Sequence, residues 1–127
     1  MRPIKTGASY QGEVWAKPGD LASALGNTGV DVISSPATIG YLETACHGVI
    51  DKYFEGGEVS VGVGFNFRHL AAAHLDAPLQ VSAELIAQDE KIFTFQVEAR
   101  QGDRLIMTGQ HEHAIVNLGR FLKKTSE

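Results

Sequence analysis

At Gly56-Gly57 the hydrophobic period of the chain changes from that of a helix to that of a strand, and few architectures accommodate the order that results. Upstream, SSPATIGYLETACHGVIDKYFEGG offers Ser35 as N-cap, Pro36 at the first helical position and the glycine pair as a stop. Counted from Ile39, residues Leu42, Cys46, Val49, Ile50, Tyr53 and Phe54 share one apolar arc about 140° wide. Downstream, EVSVGVGFNFRH alternates, so Val59, Val61, Val63, Phe65 and Phe67 are expected in the core, with Ser60, Gly62, Gly64, Asn66 and Arg68 on the other face.

The alternation recurs twice. APLQVSAELIAQ places Leu79, Val81, Ala83 and Leu85 on one face, Asp89-Glu90 turns the chain, and KIFTFQVEAR does the same with Phe93, Phe95, Val97 and Ala99. QGDR marks a further turn, and LIMTGQHEHAIVNL makes a last strand whose two faces are both mixed. A short strand is expected over 9–16, irregular structure with a brief helix near Leu21 to Leu25 over 17–34, and a frayed tail from Gly119. A loop as long as 17–34 often covers a site. One long helix followed by four strands and preceded by one argues for an α+β protein, an antiparallel sheet wrapped around a single central helix. The length of 127 residues fits one domain, 1–127.

Composition narrows the function. A net charge of -4, with no basic cluster beyond the tail RFLKK, speaks against nucleic acid as a partner. Cys46 is the only cysteine, which rules out an internal disulfide framework and fits a reducing compartment. No apolar run approaches the roughly 20 residues needed to span a bilayer, and the N-terminus lacks a signal-peptide core. A cytoplasmic protein with no membrane partner is expected.

Against that background Glu43 is anomalous, because it falls between Ile50 and Phe54 on the apolar arc. A buried, unpaired carboxylate costs several kcal/mol, so Glu43 is partnered, neutral or turned into a polar pocket. It is either the rim of a wide stripe or a base or nucleophile. Ser35 lies eight residues earlier, about 12 Å along the helix axis, beside the free amides of the first turn. It is either a plain cap or a group that meets a substrate oxygen.

Of the five histidines, His69 ends the valine-rich strand at a loop, where scaffold-held side chains often bear function. His111 and His113 form H-x-H and can point to one side, with His69 or Glu43 as further ligands, but the motif is short and no H-E-x-x-H accompanies it. No metal or other cofactor is expected. Gly62 and Gly64 interrupt a strong strand and each signals twist relief, a bulge or a close approach. Cys46 reads as inert core.

The segment SSPATIGYLETACHGVIDKYFEGGEVSVGVGFNFRHLAAAHLDAPLQVSAEL, in its setting over residues 10–122, resembles the hotdog-fold thioesterases, and among them the fluoroacetyl-CoA thioesterase-type family. In that family a Thr, a Glu and a His form the catalytic set with a Gly near the thioester. Ser35, Glu43, His69 and Gly62 stand at the matching positions, and His113, in QHEHA, stands where the family has an Arg. The resemblance implies an acyl-CoA thioesterase acting on a short or aromatic acyl group, with catalytic Ser35, Glu43 and His69 and substrate-binding Gly62 and His113. It further implies a homodimer, or a tetramer of paired dimers, with active sites at the subunit interface. The rivals are a non-catalytic acyl-CoA or small-ligand binding module on the same fold, a hydratase, whose Asp-x-Asn-x-x-His segment is missing, and a histidine-based metal protein.

Overall fold

The computed structural model of the chain describes residues 1–126; Glu127, the last residue of the expected domain span, lies outside the described residues. Five strands, β1 (Ser9–Val14), β2 (Glu58–His69), β3 (Leu79–Gln88), β4 (Ile92–Gln101) and β5 (Arg104–Asn117), form one sheet in the order β1-β3-β4-β5-β2. Every neighbouring pair is antiparallel. Helix α1 (Ser35–Ile50) packs mainly on β1, β3 and β4, and α2 (Leu118–Thr125) follows β5. This is the expected α+β architecture.

The inner face of the sheet follows directly from the alternation in β3 and β4. Leu79, Val81, Ala83 and Leu85 are buried, as are Phe93, Phe95, Val97 and Ala99. The hairpin between them closes where Asp89 Oδ1 accepts from the amides of Lys91 and Ile92 at 3.0 and 2.9 Å. On α1 the buried residues are Thr38, Leu42, Ala45, Cys46, Val49 and Ile50. The seam is therefore centred one side over from the arc counted from Ile39, which is itself only half-buried. Burial pushes the Cys46 thiol up to about 12, with the Glu43 charge adding to the effect, so this cysteine is an unreactive core residue.

Three expectations are corrected. Ser34, not Ser35, caps α1: its hydroxyl accepts from the Ala37 amide at 3.1 Å, and Ser35 opens the helix with its own hydroxyl not used in capping. The helix also stops earlier, passing through a 3₁₀ turn over 51–53 before Gly56 and Gly57 adopt left-handed backbone at φ 37° and 79°. Where a frayed tail is expected from Gly119, Leu118–Thr125 form α2, which the Asn117 side chain caps by accepting from the Arg120 amide at 3.0 Å.

The largest correction concerns β2. Val63 and Phe65 are 54% and 52% exposed, whereas Ser60, expected on the outer face, is buried. The register against β5 jumps between Gly62, opposite His113, and Gly64, opposite Glu112, leaving Val63 as the extra residue of a bulge. A bulge inverts the inward and outward parity beyond it, so a single period of two cannot describe this strand. β2 is also an edge, so its apolar side chains face no further strand within the chain.

The segment 17–34 is held against the body of the molecule. Leu21 bridges Ile33, the Ile33 amide donates to Ala73 O at 2.9 Å, and short 3₁₀ turns occupy 18–20 and 22–25. The Tyr41 hydroxyl of α1 donates to Asp20 Oδ2 at 2.5 Å, and this bond, with the Lys17 amide, holds the Asp20 carboxyl below its usual range. A depressed carboxyl contributes stability above its unfolded value and loses it as pH falls through the folded one. Tyr41→Phe is therefore expected to cost about 1 kcal/mol at neutral pH, given the partial exposure of the pair. In denaturant titrations the variant and the parent should converge as pH drops below the ordinary aspartate range.

Candidate active site

Two clusters of polar side chains form on α1. The first lies at its N-terminal end, where the Ser35 hydroxyl sits 2.6 Å from His69 Nδ1 at the end of β2. Both residues are exposed. Because Ser34 takes over capping, Ser35 is free to make this bond, and the first-turn amides of the helix face the same region.

The second cluster lies two turns on, around Glu43, whose side chain is 35% exposed at the rim of the helix-sheet seam. Gly62 underlies it: a Cβ at that position would stand 2.5 Å from Glu43 Oε1, 3.0 Å from His111 Cε1 and 3.1 Å from Phe65 Cζ. His111 Nε2 is 3.8 Å from Glu43 Oε1. On the other side, His47 and His113 each bring a ring nitrogen to within 4.8 Å of a Glu43 oxygen and of each other. His69 belongs to the first cluster, so the imidazoles that attend Glu43 within one chain are His111, His113 and His47.

All three rings are oriented by oxygens. His111 Nδ1 donates to Gly64 O at 2.7 Å, His47 Nδ1 meets Asp51 Oδ1 at 2.9 Å, and His113 Nδ1 meets the Ser60 hydroxyl at 2.9 Å. His111 and His113 are fully buried, and their Nε2 atoms have no hydrogen-bond partner among the described residues. Burial, reinforced by the nearby His111 and His47, drives the His113 imidazole down to about 3, so it is neutral at physiological pH. Phe65 and Phe67 close over His111, with ring centroids 4.3 and 5.8 Å from its own.

The H-x-H pair thus faces the core, which the mixed pattern of β5 left open. His47, Asp51 and Ser60 did not stand out in the sequence, although one signal was available. Glu43, His47 and Asp51 are spaced i, i+4, i+8 and lie along one helical face.

Comparison with known proteins assigns the family. The fluoroacetyl-CoA-specific thioesterase family matches residues 17–118. The chain belongs to this family. With it, the chain is a thioester hydrolase of the hotdog fold. The fluoroacetyl-CoA thioesterase of Streptantibioticus cattleyicolor is 30% identical over 97 residues, covering 76% of this chain and 70% of that enzyme. A solved fluoroacetyl-CoA thioesterase, a threonine-to-serine variant in complex with acetyl-CoA, is 26% identical and superposes with a TM-score of 0.91 over 97% of each chain. A thioesterase superfamily member from Thermus thermophilus is 25% identical, with a TM-score of 0.90 over 99% of this chain and 93% of its own. Among the described residues no helix is long and apolar enough to cross a membrane.

Since a methyl at Gly62 would collide with the Glu43 carboxylate, Gly62→Ala is expected to push that group off the strand while the sheet still forms. Turnover should fall about 100-fold, the size of effect that follows an ångström of misplacement, with an unchanged far-ultraviolet dichroism spectrum.

Proposed function

We propose that the protein hydrolyses the thioester of a short or aromatic acyl-CoA with Ser35, Glu43 and His69 as its catalytic set. The observation that supports this reading is the carboxylate of Glu43, the residue that the resemblance described above aligns with a catalytic Glu, held on the central helix over a glycine of β2. In this scheme Glu43 acts at the thioester carbonyl, as base toward water or as nucleophile. As base, it takes a proton while the water oxygen bonds to the carbonyl carbon. Collapse of the tetrahedral intermediate breaks the C–S bond, and the CoA thiolate takes its proton from protonated His69, giving free thiol and carboxylic acid; the proton that Glu43 took from water then passes through solvent back to His69 and restores both groups. Ser35 and the positive end of the α1 dipole orient the substrate and steady the oxyanion. Gly62 leaves room for the acyl end, and His113 lies beneath it.

Because about 12 Å of helix separates Ser35 from Glu43, one thioester carbonyl does not reach both within a single chain. A homodimer resolves this. The edge strand β2 is 12 residues long, exposes Val63 and Phe65, and carries both Gly62 and His69. Pairing of β2 with its two-fold copy would cover those side chains and bring the His69 end of one strand toward the Gly62 stretch of the other. A cleft of about 690 Å³ opens elsewhere, between α2, β5 and the turn at 55–58, away from Glu43 and His69. Sedimentation of the purified chain should therefore give a mass of at least twice 13.7 kDa; a monomer at assay concentration would leave the site divided.

For the chemistry, a panel of acyl-CoAs assayed by free-thiol release should show turnover, with Glu43→Ala and His69→Ala each lowering kcat about 100-fold or more. Full turnover in both variants would overturn the assigned roles. Tight binding of CoA esters with no thiol released would favour a binding module instead.

A further inference from the structure

We propose that Glu43, His47 and His113 form a binding site for a divalent transition cation, zinc being the type case, and that its occupation inhibits the enzyme. The inhibitory half rests on the role of Glu43 given above; the binding half stands without it.

The first observation is the arrangement of donors. One ligand atom from each of Glu43, His47 and His113 lies within 4.8 Å of the others. Ligands placed tetrahedrally at about 2.0–2.2 Å from zinc are about 3.3–3.5 Å apart, so the set must contract by about an ångström. The groups free to move are the half-exposed ones, with Glu43 at 35% and His47 at 34%, while His113 is fixed in the core.

The second observation is independent of spacing. Each imidazole in the cluster has its Nδ1 engaged by an oxygen, from Asp51, Ser60 and Gly64. A carboxylate or a carbonyl can only accept, so in His47 and His111 the Nδ1–H donates and Nε2 of the neutral ring presents its lone pair. Oxygen partners of this kind fix the tautomer of metal-binding histidines and orient their rings. His113 Nε2 and His111 Nε2 are buried without a hydrogen-bond partner among the described residues, a state that costs free energy unless something else meets them.

Third, two acceptors face each other. His111 Nε2 and Glu43 Oε1 stand 3.8 Å apart, and neither carries a proton when the ring is neutral and the carboxylate ionised. A positive species between or beside them relieves that opposition. Two imidazoles and a carboxylate suit zinc and its late first-row neighbours and do not suit magnesium or calcium, which take oxygen cages. Three protein ligands leave a fourth position open, bordered by His111. With its oxygen on the cation, Glu43 can no longer act at a thioester, so zinc and acyl-CoA compete.

The test uses the full chain without a histidine tag, stripped with chelator and titrated with zinc chloride by calorimetry, with cobalt(II) as a spectroscopic probe. One cation per chain is expected, with the strong visible absorption of tetrahedral cobalt. Asp51→Asn, which removes only the carboxylate behind His47, should weaken zinc about 10- to 100-fold, and His47→Gln at least as much. In turnover assays zinc should raise the apparent KM of the parent reversibly, and in His47→Gln, measured against that variant's own zinc-free rate, the inhibition should be lost. Absence of saturable binding, or equal affinity in the parent and His47→Gln, would overturn the site. Zinc binding without any acyl-CoA turnover would sink the catalytic reading and leave the site standing.

Discussion

Glu43 can lie against β2 because position 62 offers it no side chain to meet. With a methyl there, the carboxylate oxygen and the added carbon would stand 2.5 Å apart, well inside contact distance. The same glycine begins the bulge that ends at Gly64, and the bulge has a second effect: Gly64 O accepts from His111 Nδ1 at 2.7 Å. A carbonyl leaves that ring one neutral tautomer, whose Nε2 lone pair points toward Glu43. Backbone irregularity in one strand thus sets both the space for an acid and the chemical character of the imidazole beside it.

How much of this was legible varies from strand to strand. In β3 and β4 every alternating apolar position is buried, since these strands lie inside the sheet with one face on α1 and the other outward. β2 misled because it is an edge and because the bulge reverses its parity. Its valines and phenylalanines have a neighbouring strand on one side only, while Ser60 and Gly62, small enough to leave room beneath α1, turn inward. β5 was ambiguous for a related reason. Its inner face carries His111 and His113, polar residues that only their Nδ1 partners on β2 make compatible with burial. The cap at Ser34 rather than Ser35 is a one-residue matter, yet it decides whether Ser35 can bond His69.

The helix serves as a ruler between two kinds of chemistry. At its start it offers the positive end of the helix dipole, a hydroxyl and, through β2, an exposed imidazole, a setting suited to a developing oxyanion. At its middle it offers a carboxylate flanked by buried rings. Since α1 is packed on β1, β3 and β4, the separation between these two ends is rigid. A substrate must bridge it, or a second chain must fold one end of its own site over the other end of its neighbour's. The exposed apolar residues of β2 favour the second arrangement, because an unpaired edge with Val63 and Phe65 in water is a poor final state for a strand of 12 residues.

Water, an acyl carbonyl and a cation all have reason to meet Glu43, and the same geometry explains why. A carboxylate left about one-third exposed keeps access to bulk solvent, so a hydrolytic water can reach it, while the buried His113 and His111 behind it exclude water from the opposite side. Each ring has its Nδ1 engaged by an oxygen, from Gly64, Ser60 or, for His47, Asp51, and burial keeps the His113 ring neutral. The cluster around Glu43 is consequently rich in lone pairs and poor in hydrogen-bond donors. In such an environment a bound species gains most when it supplies a positive charge or a proton. Occupants that compete for one carboxylate are linked by mass action, so under the role proposed for Glu43 a cation bound there would weaken the thioester's hold on the same group.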